Sequence, residues 1–152
     1  MSRFRAALVV FVALFSLIAA GCDWPMYAFP RWVDQACRRH GIPHLTAAQH
    51  PPVVRIGPLR VPGRSPCLAC AEAAARERFP LMDDLAAFRT ARARPAPTLG
   101  PACGLAGVLI ATEILHALTG AHEPATLNRS LVFRLDTFES RLEPEPRVAC
   151  AH

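Results

Sequence analysis

The sequence predicts an α/β domain with a mixed sheet, and three features of the chain carry this prediction. An apolar run that ends in residues 14–20 has the continuity of a buried strand before the loop residue Gly21. Residues 53–56 and 59–61 are rich in the branched side chains that favour extended structure. Apolar residues then recur at helical spacing over 104–119. With 152 residues, of which 52% are hydrophobic and 19% charged, one domain with its own core is expected.

The first 20 residues form an apolar segment with two possible interpretations. Arg3 and Arg5 precede an apolar run over residues 6–20, a pattern that resembles a secretory or lipoprotein signal with Cys22 as the lipidated residue. The run is short for a membrane span, which needs about 20 apolar residues. We favour a buried helix remnant and strand, followed by a domain over residues 21–152.

The next part of the chain is expected to form a helix and several strands. Residues 31–40 read as a helix with Trp32, Ala36 and Cys37 on one face, and Gly41 is well placed to end it. A short strand should follow over residues 44–47. The two extended segments at 53–56 and 59–61 are separated by Gly57-Pro58 and could pair as a hairpin.

The second half is expected to contain two helices, a crossover and two strands. An alanine-rich helix is predicted over residues 71–79, and the proline-rich residues 89–101 indicate an irregular crossover. The helix over 104–119 is apolar nearly all round and is therefore expected to be deeply buried, with Gly120 at its end. Residues 131–135 and 138–142 read as the closing strands.

The spacing of three cysteines predicts a structural zinc site. Cys67 and Cys70 form a C-x-x-C pair, which places two thiolates to chelate one ion, and Cys150 is a candidate third ligand if the tail folds back. His152 is a candidate fourth ligand, although one intervening residue is tighter than usual. The alternative is that these residues are incidental buried thiols, as is expected of Cys37 and other cysteines in apolar stretches.

The charged residues exclude several kinds of chemistry. All 17 basic residues are arginine, so the chain has neither a phosphate-loop lysine nor a Schiff-base lysine. The net charge is +5, but the arginines are scattered and few aromatic residues lie among them. We therefore expect no nucleic-acid partner.

The order of several motifs resembles the ThiF/HesA/MoeB family of ubiquitin-activating-enzyme-like adenylyltransferases. The motif sequences are most similar to those of the family branch that acts in the biosynthesis of modified peptides of the azoline and bacteriocin type. In chain order the motifs are Cys22-Asp23-Trp24-Pro25, Arg31-Trp32-Val33-Asp34-Gln35-Ala36-Cys37, Gly41-Ile42-Pro43-His44, Ile56-Gly57-Pro58-Leu59, Pro66-Cys67-Leu68-Ala69-Cys70, Glu113-Ile114-Leu115 and Leu135-Asp136.

The resemblance implies a partial Rossmann-like, ThiF-type domain with a mixed sheet and a zinc-knuckle tail. It matches Asp23 to the family's nucleotide- and magnesium-facing aspartate and Arg31 to its helix-start arginine, while Asp34 replaces the family's asparagine. The family's glycine-rich phosphate loop and its lysine have no counterpart in these residues. ATP and magnesium are thus expected only if the missing half is supplied.

These features predict a binding module rather than a complete enzyme. The chain is expected to be the C-terminal portion of an adenylyltransferase-like protein, inactive alone, which acts as a zinc-supported scaffold for a peptide or a partner subunit. A homodimer and a cytoplasmic location are expected, and membrane association is not. The alternative is an exported lipoprotein, with disulfides or free thiols, that is anchored through Cys22.

Overall fold

A computed structural model describes residues 17–21, 28–92, 99–146 and 148–150, which form one mixed sheet flanked by helices. The five strands lie side by side in chain order, and they are β1 (Ile18–Gly21), β2 (His44–His50), β3 (Val53–Arg60), β4 (Arg129–Arg134) and β5 (Ser140–Pro144). The four helices are α1 (Ala28–Arg39), α2 (Leu68–Arg78), α3 (Met82–Arg92) and α4 (Gly100–Thr119). The first two strands are parallel and every other neighbouring pair is antiparallel, which confirms the predicted α/β class and mixed sheet.

The parallel pair is connected by helix α1, as a parallel connection requires. The helix ends where Gly41 adopts a left-handed φ of 65°, and Ile42 N–H then donates to the carbonyl of Cys37 at 2.9 Å. The face predicted for this helix is wrong for two of its three residues. Trp32 is 59% exposed and Ala36 is exposed, whereas Asp34 and Cys37 are buried, because the carboxylate finds partners inside the protein.

Strand β3 runs through Gly57-Pro58 without turning, so the hairpin predicted there is wrong. The turn lies earlier, at Pro51-Pro52, and joins β2 to β3. The ladder with β4 covers residues 53–56, and beyond it Leu59 N–H donates to the carbonyl of Thr126 at 2.9 Å. Pro58 therefore sits where the pairing on this side changes partner, and there its missing N–H breaks no regular ladder.

Helix α4 covers one face of the sheet, and helix α1 lies on the other. The core on the α4 face is formed by Leu17, Leu45, Val54, Ile56, Leu59 and Ala102. Since successive strand residues point to opposite faces, His44, the neighbour of Leu45, faces α1, where it meets Asp34. The sheet thus has an apolar side and a side that carries buried polar groups.

Most of α4 is exposed in this structure, which contradicts the prediction of a deeply buried helix. Val108 is 66% exposed and Leu115 60%, while Glu113 is buried and accepts hydrogen bonds from Ala125 N–H, Thr126 N–H and the Thr126 hydroxyl. By length and composition alone α4 could span a membrane, a weak criterion that core helices of soluble proteins also meet.

The remaining helices and strands agree with the predictions in part. Helix α2 was expected and begins three residues earlier than predicted, directly after Cys67. Helix α3 was not expected, and it runs into the irregular crossover predicted over residues 89–101, since it ends at Arg92 and α4 already begins at Gly100. The two closing strands are present, shifted by up to two residues from the predicted bounds, and they pair antiparallel on either side of Asp136 and Thr137.

Candidate metal centre

The cysteine pair is positioned by the start of helix α2. Cys67 is the N-cap residue, with extended backbone angles of φ −72° and ψ 160°, and its sulfur accepts a hydrogen bond from Cys70 N–H at 3.3 Å. A residue at an N-cap and one three positions later lie on the same side of the first turn. The helix start thus holds two sulfurs next to each other.

The tail brings a third sulfur to this pair. The Sγ atoms of Cys67, Cys70 and Cys150 all lie within 4.8 Å of one another, and Cys150 Sγ accepts a hydrogen bond from Cys67 N–H at 3.1 Å. In a tetrahedral zinc site with sulfur ligands at about 2.3 Å, neighbouring sulfurs are roughly 3.8 Å apart. The three sulfurs therefore fit one metal ion after small side-chain adjustments. His152, the candidate fourth ligand, lies outside the described residues.

The surroundings of Cys67 favour its thiolate form, which is the form that binds metals. Burial by itself raises the pKa of this thiol, but hydrogen bonds from Cys70 N–H and with the Cys70 and Cys150 side chains, together with the charge of Arg38, lower it below its usual value. Cys37 shows the opposite case. Burial, followed by the charge of Asp34, raises the pKa of its thiol to about 11.

A buried carboxylate supports the helix start from the side of α1. Asp34 Oδ1 accepts a hydrogen bond from Leu68 N–H at 3.2 Å and lies 3.3 Å from His44 Nε2, and both side chains are almost fully buried. Burial raises the pKa of Asp34, but the close approach of the His44 side chain, the hydrogen bond from Leu68 N–H and the charge of Arg60 lower it below its usual value. Asp34 therefore ties α1 and β2 to the residue that follows Cys67, the first cysteine of the cluster.

A second buried charge pair joins β3 to the tail. Arg60 donates to Glu145, with side-chain exposures of only 7% and 12%, and Glu145 N–H donates to the Asn128 carbonyl at 2.9 Å. Burial, with the charge of Asp34, raises the pKa of Glu145 against the opposing effect of Arg60. These residues line a cavity of about 940 Å³ that reaches Cys67 and Cys150.

The two residues expected to face a nucleotide have different outcomes. Asp23 lies outside the described residues. Arg31 is in the first turns of α1, half exposed, and its guanidinium pairs with the Glu72 carboxylate of α2 at 3.0 Å. Its assignment to cofactor binding stays a prediction, and in this structure the side chain joins two helices.

Sequence reasoning missed four residues near the cysteines: Asp34, His44, Arg60 and Glu145. Two of them carried a usable signal, since a histidine and an arginine within otherwise apolar strands are rarely buried without a partner. Nothing in the sequence indicated which partners they would find, because Arg60 and Glu145 lie far apart along the chain.

Comparisons with known proteins agree with the fold. The family model described as ThiF family matches residues 4–151. Among solved structures, E. coli MccB with selenomethionine MccA has a TM-score of 0.69 and 24% identity, covering 89% of this chain and 38% of that one. E. coli MccB with ATP gives 0.65 and 23%, covering 87% and 37%. PaaA gives 0.65 and 17%, covering 92% and 45%.

The chain spans less than half the length of the solved structures that it resembles. No curated protein matches it. The likeness to the solved structures shows a shared fold, and the match of the family model covers nearly the whole chain. The chain therefore belongs to the ThiF family.

Proposed function

We propose that this chain is the C-terminal portion of a ThiF-type adenylyltransferase-like protein and acts as a metal-supported scaffold in the biosynthesis of a modified peptide. The observation that carries the proposal is the convergence of Cys67, Cys70 and Cys150, because it ties the last residues of the fold to the start of α2. The site contributes stability and shape, and the chemistry of carboxylate activation depends on residues outside this chain.

Zinc is the proposed metal, held by the three cysteine thiolates with His152 as a proposed fourth ligand. Thiolate ligands favour zinc over magnesium or calcium, and C-x-x-C pairs are typical of closed structural sites. A bound zinc would cross-link α2 and the tail and so stabilise the folded state. With His152 as the fourth ligand the site would be closed, with no position left for water or substrate, which fits a structural role for the metal.

The proposal assigns no ATP chemistry to these residues alone. They contain neither a lysine nor a G-x-G-x-x-G sequence, the groups that usually hold nucleotide phosphates. Asp23 and Arg31 are proposed to contribute to a nucleotide and magnesium site when a phosphate-binding loop is present. The isolated chain is therefore expected to be inactive.

A peptide is the proposed substrate or partner. MccB has been crystallised with MccA and with N-formylated MccA, and one of these structures describes it as the microcin C7 biosynthetic enzyme. By analogy we propose that this chain contributes to holding a peptide, in a cytoplasmic setting where its thiols stay reduced. The exposed apolar surface of α4 is the reason for proposing a partner subunit, and we propose that this partner is a second copy of the chain.

Metal analysis tests the proposal directly. The purified chain should contain about one zinc ion, and Cys70→Ser or Cys150→Ser should remove most of it. Cys103→Ser is the matched control, since Cys103 is an exposed cysteine outside the cluster and its replacement should leave the zinc content unchanged. Zinc far below one ion per chain, together with a melting temperature that a chelator does not change, would contradict the proposed site.

Peptide binding tests the scaffold role. Titration calorimetry with N-formylated MccA as the probe should show heat of binding with the zinc-loaded chain and a weaker signal after chelation. ATP without the peptide should give no signal with this chain. Equal binding of the peptide before and after zinc removal would contradict a metal-supported binding surface.

A further inference from the structure

Cys150 lies on the C-terminal tail, so contacts within the protein must position it before a metal binds. Cys67 and Cys70 are fixed by the start of α2, whereas Cys150 is exposed and lies six residues after the last residue of β5, Pro144. It contacts the helix start through the hydrogen bond from Cys67 N–H at 3.1 Å and through the Cys67 side chain. Another contact must set the direction of the tail.

That contact is found at the first residue after β5. The carboxylate of Glu145 accepts a hydrogen bond from Arg60 at the end of β3, and its backbone N–H donates to the Asn128 carbonyl at 2.9 Å. Both charged side chains are about nine-tenths buried. The tail therefore leaves the sheet from a residue whose backbone and side chain are both held.

A second ion pair, between β3 and β5, shows what a weak contact looks like. Nη2 of Arg55 on β3 lies 2.6 Å from Oε2 of Glu143 on β5, but the two side chains are 44% and 33% exposed. Water and salt screen such a pair, and it contributes little. Removing one partner of a buried pair is different, because the other charge is left without compensation away from water.

We propose that Arg60 and Glu145 are positioning residues for the metal site, which hold the tail so that Cys150 completes the set of three thiolates. The inference rests on the proposed metal site and adds a determinant outside its ligands. Without the pair, the thiolate of Cys150 must be recruited from a freer segment, and its effective concentration at the metal falls. Residues that orient metal ligands typically account for about 10- to 100-fold in metal affinity.

The test uses the full chain loaded with Co²⁺, whose sulfur-to-metal charge-transfer absorption reports the number of bound thiolates. Glu145→Gln should lower the affinity for Co²⁺ by about 10- to 100-fold and reduce this absorption to that of Cys150→Ser. Glu143→Gln removes the same charge from the neighbouring exposed pair and should match the unmodified chain in both measurements. Circular dichroism checks that the variants are folded.

Exchange of the two charges provides a rescue. The double variant Arg60→Glu with Glu145→Arg restores an ion pair and should recover affinity and absorption, and it carries the test if Glu145→Gln alone does not fold. The proposal is overturned if Glu145→Gln binds Co²⁺ like Glu143→Gln, or if the double variant behaves like Cys150→Ser. An unmodified chain that takes up no Co²⁺ would overturn the metal site itself, which is a distinguishable result.

Discussion

At the residue scale, the buried carboxylate of Asp34 connects more parts of the structure than its sequence position suggested. It accepts a hydrogen bond from Leu68 N–H, next to Cys67 of the cysteine cluster, and it meets the buried His44 on β2. In the resembled family an asparagine stands at this position, and the change to an acid adds a charge that the nearby Arg60 compensates. The residue therefore couples α1, the sheet and the helix start that presents the cysteines.

Replacing Asp34 should lower stability in a way that depends on pH. Because folding lowers the pKa of this carboxyl group, its contribution is complete above the usual carboxyl pKa of about 4 and is lost as the pH falls through the lower folded value. Asp34→Asn should therefore lower the free energy of unfolding by about 1–3 kcal/mol at neutral pH, and the difference should shrink in acid. Urea unfolding at pH 7 and in the acid range measures both effects.

Asp83 provides the control for this prediction. Its carboxylate pairs with Arg76 at 2.8 Å but is 67% exposed, so Asp83→Asn should change the free energy of unfolding by less than about 0.5 kcal/mol. If the two variants are equally stable at pH 7, the role assigned to Asp34 is wrong.

At the scale of secondary-structure elements, local patterns predicted most helices and strands but not how they pair. The first strand, α1 with its Gly41 stop, α2 and α4 follow from apolar runs, helical spacing and terminal glycines, which are local properties. The break at Gly57-Pro58 did not become a turn, because strand pairing on either side of it outweighed the local signal. The cysteine cluster could be expected from spacing, whereas the Arg60–Glu145 pair needs the tertiary fold.

Gly57 shows what this continuous strand requires. Its φ of 90° is one that other residues rarely adopt, and an added Cβ would lie 2.8 Å from the Arg129 carbonyl oxygen. Gly57→Ala should therefore destabilise the chain by two effects, backbone strain and a steric clash. Gly63→Ala is a matched control, since Gly63 has a φ of 79° with no atom within 4 Å of the added Cβ.

The difference between the two variants isolates the clash. Both should lose about 1–2 kcal/mol of unfolding free energy from the left-handed backbone, and Gly57→Ala should lose at least about 1 kcal/mol more. Thermal and urea unfolding measure this. Equal stability of the two variants would show that the neighbouring β4 backbone moves away without cost.

At the scale of the whole molecule, helix α4 has an apolar surface that is only partly buried. The sequence predicts burial on all its sides, but only one side packs against the sheet. Its spacing of apolar residues predicted burial, and the side that faces the sheet does pack on the core through Ala102 and its neighbours. The opposite side exposes Val108, Leu115 and Leu118. A helix that is apolar all round is typically buried on both sides. The described part of this chain does not bury the side of α4 that faces away from the sheet, so this side is a candidate surface for a partner.

A second copy of the chain is the proposed cover, and the oligomeric state tests it. Sedimentation equilibrium over a range of concentrations should show a mass rising towards that of two chains. Leu115→Arg should shift the chain to a single-copy mass, because a buried guanidinium without a partner disfavours the interface. Phe138→Arg is the control, since this side chain is 78% exposed in the turn between β4 and β5 and is not part of α4, and should leave the mass unchanged. A single-chain mass for the unmodified protein at every concentration would rule out the dimer and leave the exposed face of α4 to a different partner.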